Sequence, residues 1–261
     1  MTSPGSEQPA FGGRLGWGTR PALLLVDLMR AYFTTGSPLD LGSTAAADVS
    51  ARLLAAAREH GVPVIHTAVH YRAGAVDAGL FVKKVSALAL LADDQPGGLR
   101  ELMPQVAPLG DEVVIVKQYA SAFFGTSLAS TLHALGVDTV VIAGVSTSGC
   151  IRASATDALQ HGFRPLVVAD ACADRTDELH RSNLRDLGAK YADVIDSAEV
   201  LAKFAALTHR RGKGGPGGHV GASTNPARLA LTPSAGSSDQ SLPGPGTMTA
   251  HRRPVHRADP I

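Results

Sequence analysis

The amino-acid sequence predicts an α/β fold, a doubly wound and mostly parallel six-stranded sheet with helices on both faces. Short continuous runs of valine, isoleucine, leucine and alanine recur along the chain. Such runs are typical of strands that are buried on both faces of a parallel sheet. Alanine- and leucine-rich segments with helical spacing lie between them, and several end at a glycine. This regular alternation of strand and helix favours the doubly wound arrangement.

The predicted elements follow one another in the order that such a sheet requires. Strands are expected at residues 21–28, 62–70, 112–117, 139–143, 163–168 and 191–195. Helices are expected at residues 43–60, 127–135, 150–162 and 197–207, and from Thr176 onward. Thr176 is a suitable N-cap because acidic residues fill the first turn after it.

Composition divides the chain into three parts. Residues 14–207 form the predicted domain, after a flexible N-terminal segment at 1–13 and before a Gly-, Pro- and Ser-rich tail at 208–261 that is expected to be disordered. The sequence from residue 209 onward contains 7 Lys+Arg and 2 Asp+Glu (7 − 2 = +5), which leaves 17 − 21 = −4 for residues 1–208. A mildly acidic body gives no reason to expect nucleic-acid binding.

The sequence also indicates the cellular setting. No apolar segment approaches the length of a membrane span, and the N-terminus does not resemble a signal peptide. The two cysteines, Cys150 and Cys172, are too few for a disulfide framework in a domain of this size and are expected to be reduced. We therefore expect a cytoplasmic protein without a membrane partner.

Three ionisable residues come at the ends of predicted strands. Asp27 ends the first apolar run, Lys117 ends the third, and Cys150 follows the fourth on a loop of small residues that opens a helix. Asp27 taken alone is equally explained as the cap of a turn, whereas a lysine at the end of a buried strand needs a charged partner. A helix start is expected to lower the pKa of the Cys150 thiol.

The carboxyl ends of parallel strands meet in one crevice, so these three side chains are expected to lie together. A cysteine attacks a carbonyl carbon, an acid takes the thiol proton and later gives it to the leaving nitrogen, and a lysine holds both. The backbone amides of Ser146 and Cys150 are expected to face the developing oxyanion. The chemistry predicted is amide hydrolysis through a thioester.

Two other regions bear on metals and partners. His66 and His70 fall on one face of the second strand, but two histidines with a distant Asp77 make a weak metal signal, and polar residues lining a sheet end are the favoured interpretation. The irregular segment 71–111 resembles a functional lid or a subunit contact. It carries apolar residues that a monomer would expose, so a homo-oligomer is expected. These are Leu80, Phe81, Val82 and Val85.

The motifs Leu-Leu-Leu-Val-Asp27-Leu, Val-Ile-Val-Lys117 and Gly144-Val-Ser-Thr-Ser-Gly-Cys150-Ile-Arg resemble those of the isochorismatase-like cysteine hydrolases over about residues 14–207. The resemblance implies that Asp27, Lys117 and Cys150 form a catalytic triad and that a cis peptide bond precedes Ser146. Within the family, the chain is most similar to N-carbamoylsarcosine amidases and maleamate amidohydrolases. In these enzymes the arginine that matches Arg175 binds the substrate carboxylate.

The loop after Lys117 is expected to line the substrate pocket, with Ser121 and Phe123 as contacts. The resemblance thus implies an amidohydrolase that needs no metal or cofactor and releases ammonia from a small carboxylate-bearing amide or ureido compound. A maleamate or lactam substrate remains an alternative, as does a non-catalytic binding protein on the same fold. A thiol phosphatase is disfavoured because position 156 is Thr156, where such an enzyme needs arginine.

Overall fold

A computed structural model describes residues 10–95 and 97–211, with side chains described up to Leu207. It contains a single six-stranded sheet in the order β3-β2-β1-β4-β5-β6, and all of its strand pairs are parallel. The strands are β1 (Pro21–Val26), β2 (Val64–Val69), β3 (Val113–Lys117), β4 (Thr139–Val145), β5 (Arg164–Ala173) and β6 (Asp193–Ile195). The predicted fold is therefore confirmed.

The described part of the chain has six α-helices, and all but α2 pack on the two faces of the sheet. They are α1 (Ala45–Glu59), α2 (Gly79–Lys84), α3 (Leu128–Ala134), α4 (Arg152–Gln160), α5 (Asp177–Lys190) and α6 (Ser197–Arg211). Helices α3, α4 and α5 pack on one face through residues such as Leu132, Ala155 and Leu187, and α1 and α6 pack on the other through residues such as Leu53 and Phe204. None of the helices in the described part of the chain is long and apolar enough to cross a membrane.

Two elements end well beyond the sequence-based expectation. Strand β5 runs to Ala173, beyond the predicted end at residue 168, because its pairing with β4 continues past a register shift between Ile142 and Gly144. Cys172 therefore lies within a strand. Helix α6 continues to Arg211, and the remainder of the predicted tail lies outside the described residues. The predicted N-cap of α5 is confirmed, since the Thr176 hydroxyl accepts a hydrogen bond from the Leu179 amide at 3.2 Å.

The segment between β2 and β3 packs over the carboxyl ends of the strands. Residues from this segment and from the loop after β1 form a third apolar cluster, which also includes the end of β4 at Val145. Leu80 and Val85 remain exposed, as expected, but Phe81 and Val82 are half-buried against the cluster. The order of strands reverses between β1 and β4, and ligands of doubly wound sheets bind beside that position.

Candidate active site

Asp27 is the first residue after β1 and lies at the position where the strand order reverses. Its side chain is completely buried, and its backbone has a positive φ of 50°, which is uncommon for a residue other than glycine. The Thr67 hydroxyl on β2 donates to the Asp27 carboxylate at 2.6 Å and accepts from the Asp27 amide at 3.1 Å. These two bonds stabilise an unfavourable backbone conformation and fix the orientation of the carboxylate at the carboxyl end of β1.

Lys117 ends β3, and its ammonium group is also completely buried. It donates to the Asp27 carboxylate at 2.8 Å, to the sulfur of Cys150 at 3.4 Å, and to the carbonyl oxygens of Tyr119 and Ala120 at 3.0 and 3.1 Å. Burial by itself lowers the pKa of Lys117, but the charges of Asp27 and Cys150 outweigh it and raise the pKa overall. The buried amine thus stays protonated between two acidic groups.

Cys150 lies in a π-helical turn, Thr147–Ile151, that leads into α4. Its side chain is buried, and the expected lowering of its pKa is wrong. Burial and, after it, the nearby charge of Asp27 raise the pKa of the Cys150 thiol to about 12, and Lys117 only partly opposes these effects. The sulfur is buried beside a carboxylate, and these two influences, rather than the start of a helix, set the direction of the shift.

This arrangement favours proton transfer within the site over release of a proton to water. A thiolate beside a charged Asp27 is costly, whereas moving the thiol proton onto Asp27 leaves one negative charge on sulfur next to the Lys117 ammonium. Asp27 is therefore suited to act as a general base at the moment of attack, with Lys117 compensating the charge on either partner.

In the loop between β4 and α4, the Ser146 carbonyl accepts hydrogen bonds from the amides of Gly149 at 3.0 Å and Ile151 at 3.1 Å, the residues on either side of Cys150. A cis peptide bond joins Val145 to Ser146, in agreement with the resemblance. The Thr147 hydroxyl donates to the Ala173 carbonyl at 3.1 Å and contacts Nδ1 of His180 at 2.8 Å, and the Ser148 amide donates to Asp174 at 2.6 Å. The main chain that carries the predicted oxyanion donors is thus tied to the end of β5 and to α5.

Two glycines in this region have no room for a side chain. A Cβ on Gly144, whose φ is 125°, would lie 2.0 Å from the carbonyl oxygen of Val26, the residue before Asp27. A Cβ on Gly149 would lie 2.7 Å from the Ser146 hydroxyl oxygen. Glycine therefore allows the ends of β1 and β4 to approach each other and the loop to fold back on itself.

Comparison with known proteins agrees with this geometry. The isochorismatase domain model matches residues 21–199. The chain belongs to the isochorismatase family. It is 47% identical to a maleamate amidohydrolase from Pseudomonas putida over 202 residues, which cover 77% of this chain and 94% of that protein. It is 34% identical to an N-carbamoylsarcosine amidase from an Arthrobacter species over 203 residues, 76% of each chain.

A solved structure supports the same assignment. An isochorismatase family protein from Desulfovibrio vulgaris superimposes with a TM-score of 0.64 at 30% identity, covering 72% of this chain and all of that one. The predicted family and the predicted class, a hydrolase acting on carbon–nitrogen bonds, agree with the names of the relatives.

The residues predicted to contact substrate lie in three different environments in this isochorismatase family member. Arg175 follows β5 beside Asp174, and its side chain is 71% exposed. Ser121 is buried, and its hydroxyl accepts a hydrogen bond from the Phe123 amide within its own turn. Phe123 packs in the core, with its ring 5.3 Å from that of His161 at the far end of α4.

Phe123 is 4% exposed, and its contact with substrate stays a prediction. Its neighbour Phe124 is the outward-facing aromatic residue of this loop, 61% exposed and edge-on to Tyr119 at 5.2 Å. The loop has no periodic pattern, so the sequence cannot tell which of two adjacent phenylalanines points inward.

His66 of β2 and His70, the residue after β2, have separate partners. His66 is buried and lies 3.1 Å from Glu112, whereas His70 lies 2.7 Å from Asp93. Within the described residues there is no group of three or more His, Cys, Asp or Glu side chains arranged to hold a metal ion. Each histidine thus has a carboxylate partner of its own.

Sequence reasoning missed four residues that support or face the site: Thr67, Tyr32, Asp174 and His180. Thr67 had a weak signal, as a polar residue inside the apolar run of β2. Asp174 and His180 follow β5 and had none, because their contacts with the Cys150 loop depend on how β4, β5 and α5 pack. Tyr32 is buried near Cys150 and Asp27.

Proposed function

We propose that this protein is a cysteine-dependent amidohydrolase that cleaves the C–N bond of a small carboxylate-bearing amide or ureido compound. The observation that carries the proposal is the position of one buried ammonium group, that of Lys117, in contact with both the Asp27 carboxylate at 2.8 Å and the Cys150 sulfur at 3.4 Å. The names of the relatives support amide hydrolysis as the reaction.

In the proposed reaction the sulfur of Cys150 attacks the amide carbonyl carbon while the thiol proton passes to Asp27. The carbonyl oxygen becomes an oxyanion facing the amides of Ser146 and Cys150. The C–N bond then breaks, and Asp27 gives its proton to the leaving nitrogen, so that ammonia departs from a thioester. Water attacks the thioester with Asp27 as base, the C–S bond breaks, and the proton returns to the thiolate.

Ammonia release by the full-length protein tests the proposal. The panel contains maleamate, N-carbamoylsarcosine, other carbamoyl amino acids, biuret and lactams. Cys150→Ala should abolish turnover while the unfolding transition stays close to that of the wild type. Cys172→Ala is the matched control, since Cys172 is equally buried but lies in β5 away from Lys117, and it should retain activity. Full activity of Cys150→Ala would exclude the mechanism.

Binding of a carboxylate by Arg175 forms part of the proposal. The side chain is exposed and makes one long contact, 3.9 Å, with Asp174, so Arg175→Gln should fold normally. We expect it to raise KM at least tenfold for carboxylate-bearing amides, since a hydrogen-bonded ion pair to substrate contributes about 1.5–3 kcal/mol. Arg181→Gln, with a side chain that is 70% exposed, is the control and should leave KM unchanged.

We also propose that the protein is a cytoplasmic homo-oligomer. Both cysteines are free thiols, which suits a reducing compartment. The side chains of Val76 and Leu80 are each 76% exposed, and Tyr119 and Phe124 extend this apolar surface. A clean monomer in size-exclusion chromatography with light scattering would contradict the oligomer.

A further inference from the structure

The hydroxyl group of Tyr32 is a buried polar group to which the proposed mechanism gives no role. Tyr32 ends the short 3-10 turn Arg30–Tyr32 after β1, and 6% of its surface is exposed. Its ring belongs to the apolar cluster that contains Tyr71 and Val145, the residue before Ser146. Tyr32 therefore lies on the loop that begins with Asp27 and packs with the end of β4, where the loop that carries Cys150 begins.

The Tyr32 hydroxyl has no hydrogen-bond partner among the residues that the structure describes, in contrast to Tyr71, whose hydroxyl donates to the Gln118 carbonyl at 3.0 Å. In the same part of the chain, every completely buried side-chain nitrogen or oxygen atom does have a partner. The Tyr32 oxygen is therefore not completely enclosed and faces accessible space.

Tyr32 lies near the reacting groups, since it follows Asp27 by five residues and shares its apolar cluster with Val145, the residue before Ser146. Burial raises the pKa of the Tyr32 phenol, and the charges of Cys150 and then Asp27 are the next causes, so both groups are near the hydroxyl. A phenol of raised pKa stays protonated at neutral pH and can donate a hydrogen bond to an oxygen atom. An unpaired donor among mostly apolar side chains is typical of a group that orients a ligand.

We infer that the Tyr32 hydroxyl binds the substrate by donating a hydrogen bond to an oxygen other than the scissile carbonyl oxygen. This inference rests on the proposed amidohydrolase function. The main-chain amides of Ser146 and Cys150 serve the scissile oxygen, and Asp27 serves the leaving nitrogen. A distal carboxylate or carbonyl oxygen, beyond any oxygen that Arg175 binds, is then the remaining acceptor, so amides with a second oxygen-bearing group are the substrate class that this donor favours.

Steady-state kinetics of full-length Tyr32→Phe, on the panel compound that the wild type hydrolyses best, tests the inference. The variant keeps the ring and loses the hydroxyl. KM should rise about tenfold or more, with kcat within about threefold of the wild type. The control Tyr191→Phe, beyond α5, should leave both constants unchanged. An unchanged KM in Tyr32→Phe, or a loss confined to kcat, would overturn the assignment.

Equilibrium unfolding in urea provides a second readout that needs no substrate. Tyr32→Phe should unfold at the same urea concentration as the wild type, because it removes no protein hydrogen bond, whereas Tyr71→Phe should unfold earlier. Equal losses in the two variants would show that Tyr32 has a structural partner and would refute the inference. A wild type inactive on the whole panel would instead refute the proposed function and, with it, this role.

Discussion

Replacing Asp27 with asparagine should change turnover and thiol reactivity in opposite directions. The carboxylate raises the pKa of Cys150 and is also the proposed base. Asparagine is nearly the same size and keeps an oxygen that can accept the hydrogen bond from Thr67. Without the negative charge, the Lys117 ammonium acts on the sulfur alone and favours the thiolate.

The size of the effect follows from the distances around Lys117. Its nitrogen lies 2.8 Å from the Asp27 oxygen and 3.4 Å from the Cys150 sulfur, so the two acidic groups are at most 2.8 + 3.4 = 6.2 Å apart. With an effective dielectric constant of about 20, two charges at about 6 Å repel each other by about 2.7 kcal/mol, or roughly 2 pKa units. The thiol pKa should fall from about 12 by that amount.

The assay is the rate of Cys150 alkylation by iodoacetamide at pH 8, followed by mass spectrometry. A fall of roughly 2 pKa units raises the thiolate fraction about 100-fold, and the lower nucleophilicity of a more acidic thiol reduces the net gain to roughly tenfold. Turnover should fall by a factor of about 10² to 10⁴, because the base is lost. Slower or unchanged alkylation in Asp27→Asn would refute this electrostatic account.

Cys172 is an internal control for this experiment. Burial raises its pKa to about 12 as well, but its other influences are the Gly144 amide and Asp170, not Asp27. Its alkylation should therefore be unaffected by Asp27→Asn. Equal acceleration at both cysteines would indicate general loosening of the fold rather than a local change of charge.

Three further predictions concern the supports of the site. Gly144→Ala should lower the free energy of unfolding, measured by urea titration, by more than about 3 kcal/mol, because its Cβ would meet the Val26 carbonyl oxygen at 2.0 Å. The control is Gly162→Ala, where φ is also positive at 85° but a Cβ would have no atom within 4 Å. It should lower the free energy of unfolding by only about 1 kcal/mol. Thr147→Val should reduce kcat roughly tenfold, because the loop that carries Ser146 and Cys150 loses its contacts with Ala173 and His180. The rate of Cys150 alkylation should not change. An unaltered kcat would show that these contacts do not support catalysis. Burial lowers the pKa of His66 below its unfolded value of about 6.5, so the unfolded chain binds a proton more readily than the folded one. The free energy of unfolding should therefore fall as the pH drops from about 6.5 toward the folded-state pKa. His66→Gln should remove this pH dependence, measured from unfolding midpoints at pH 5, 6 and 7.5.

The strand ends were predictable from local pattern. Each apolar run stops where its strand leaves the sheet, and parallel strands bring their carboxyl ends to one edge. That reasoning located Asp27, Lys117 and Cys150, and the structure brings the three into contact. The small residues from Gly144 to Gly149 similarly indicated a tight turn, and the structure shows why a Cβ does not fit at either end of it.

The sequence by itself determined the order of strands and helices along the chain and the family. It also showed that the reactive groups lie at the carboxyl ends of the strands. Tertiary structure alone decided the direction of the Cys150 pKa shift and the hydrogen bonds between Thr67 and Asp27. It also decided that Phe123 packs inward and that the Tyr32 hydroxyl is unpaired. Strand and helix periods depend on neighbours along the chain, so they can be read from the sequence. Desolvation and hydrogen-bond pairing depend on every atom within a few ångströms, most of which come from distant segments.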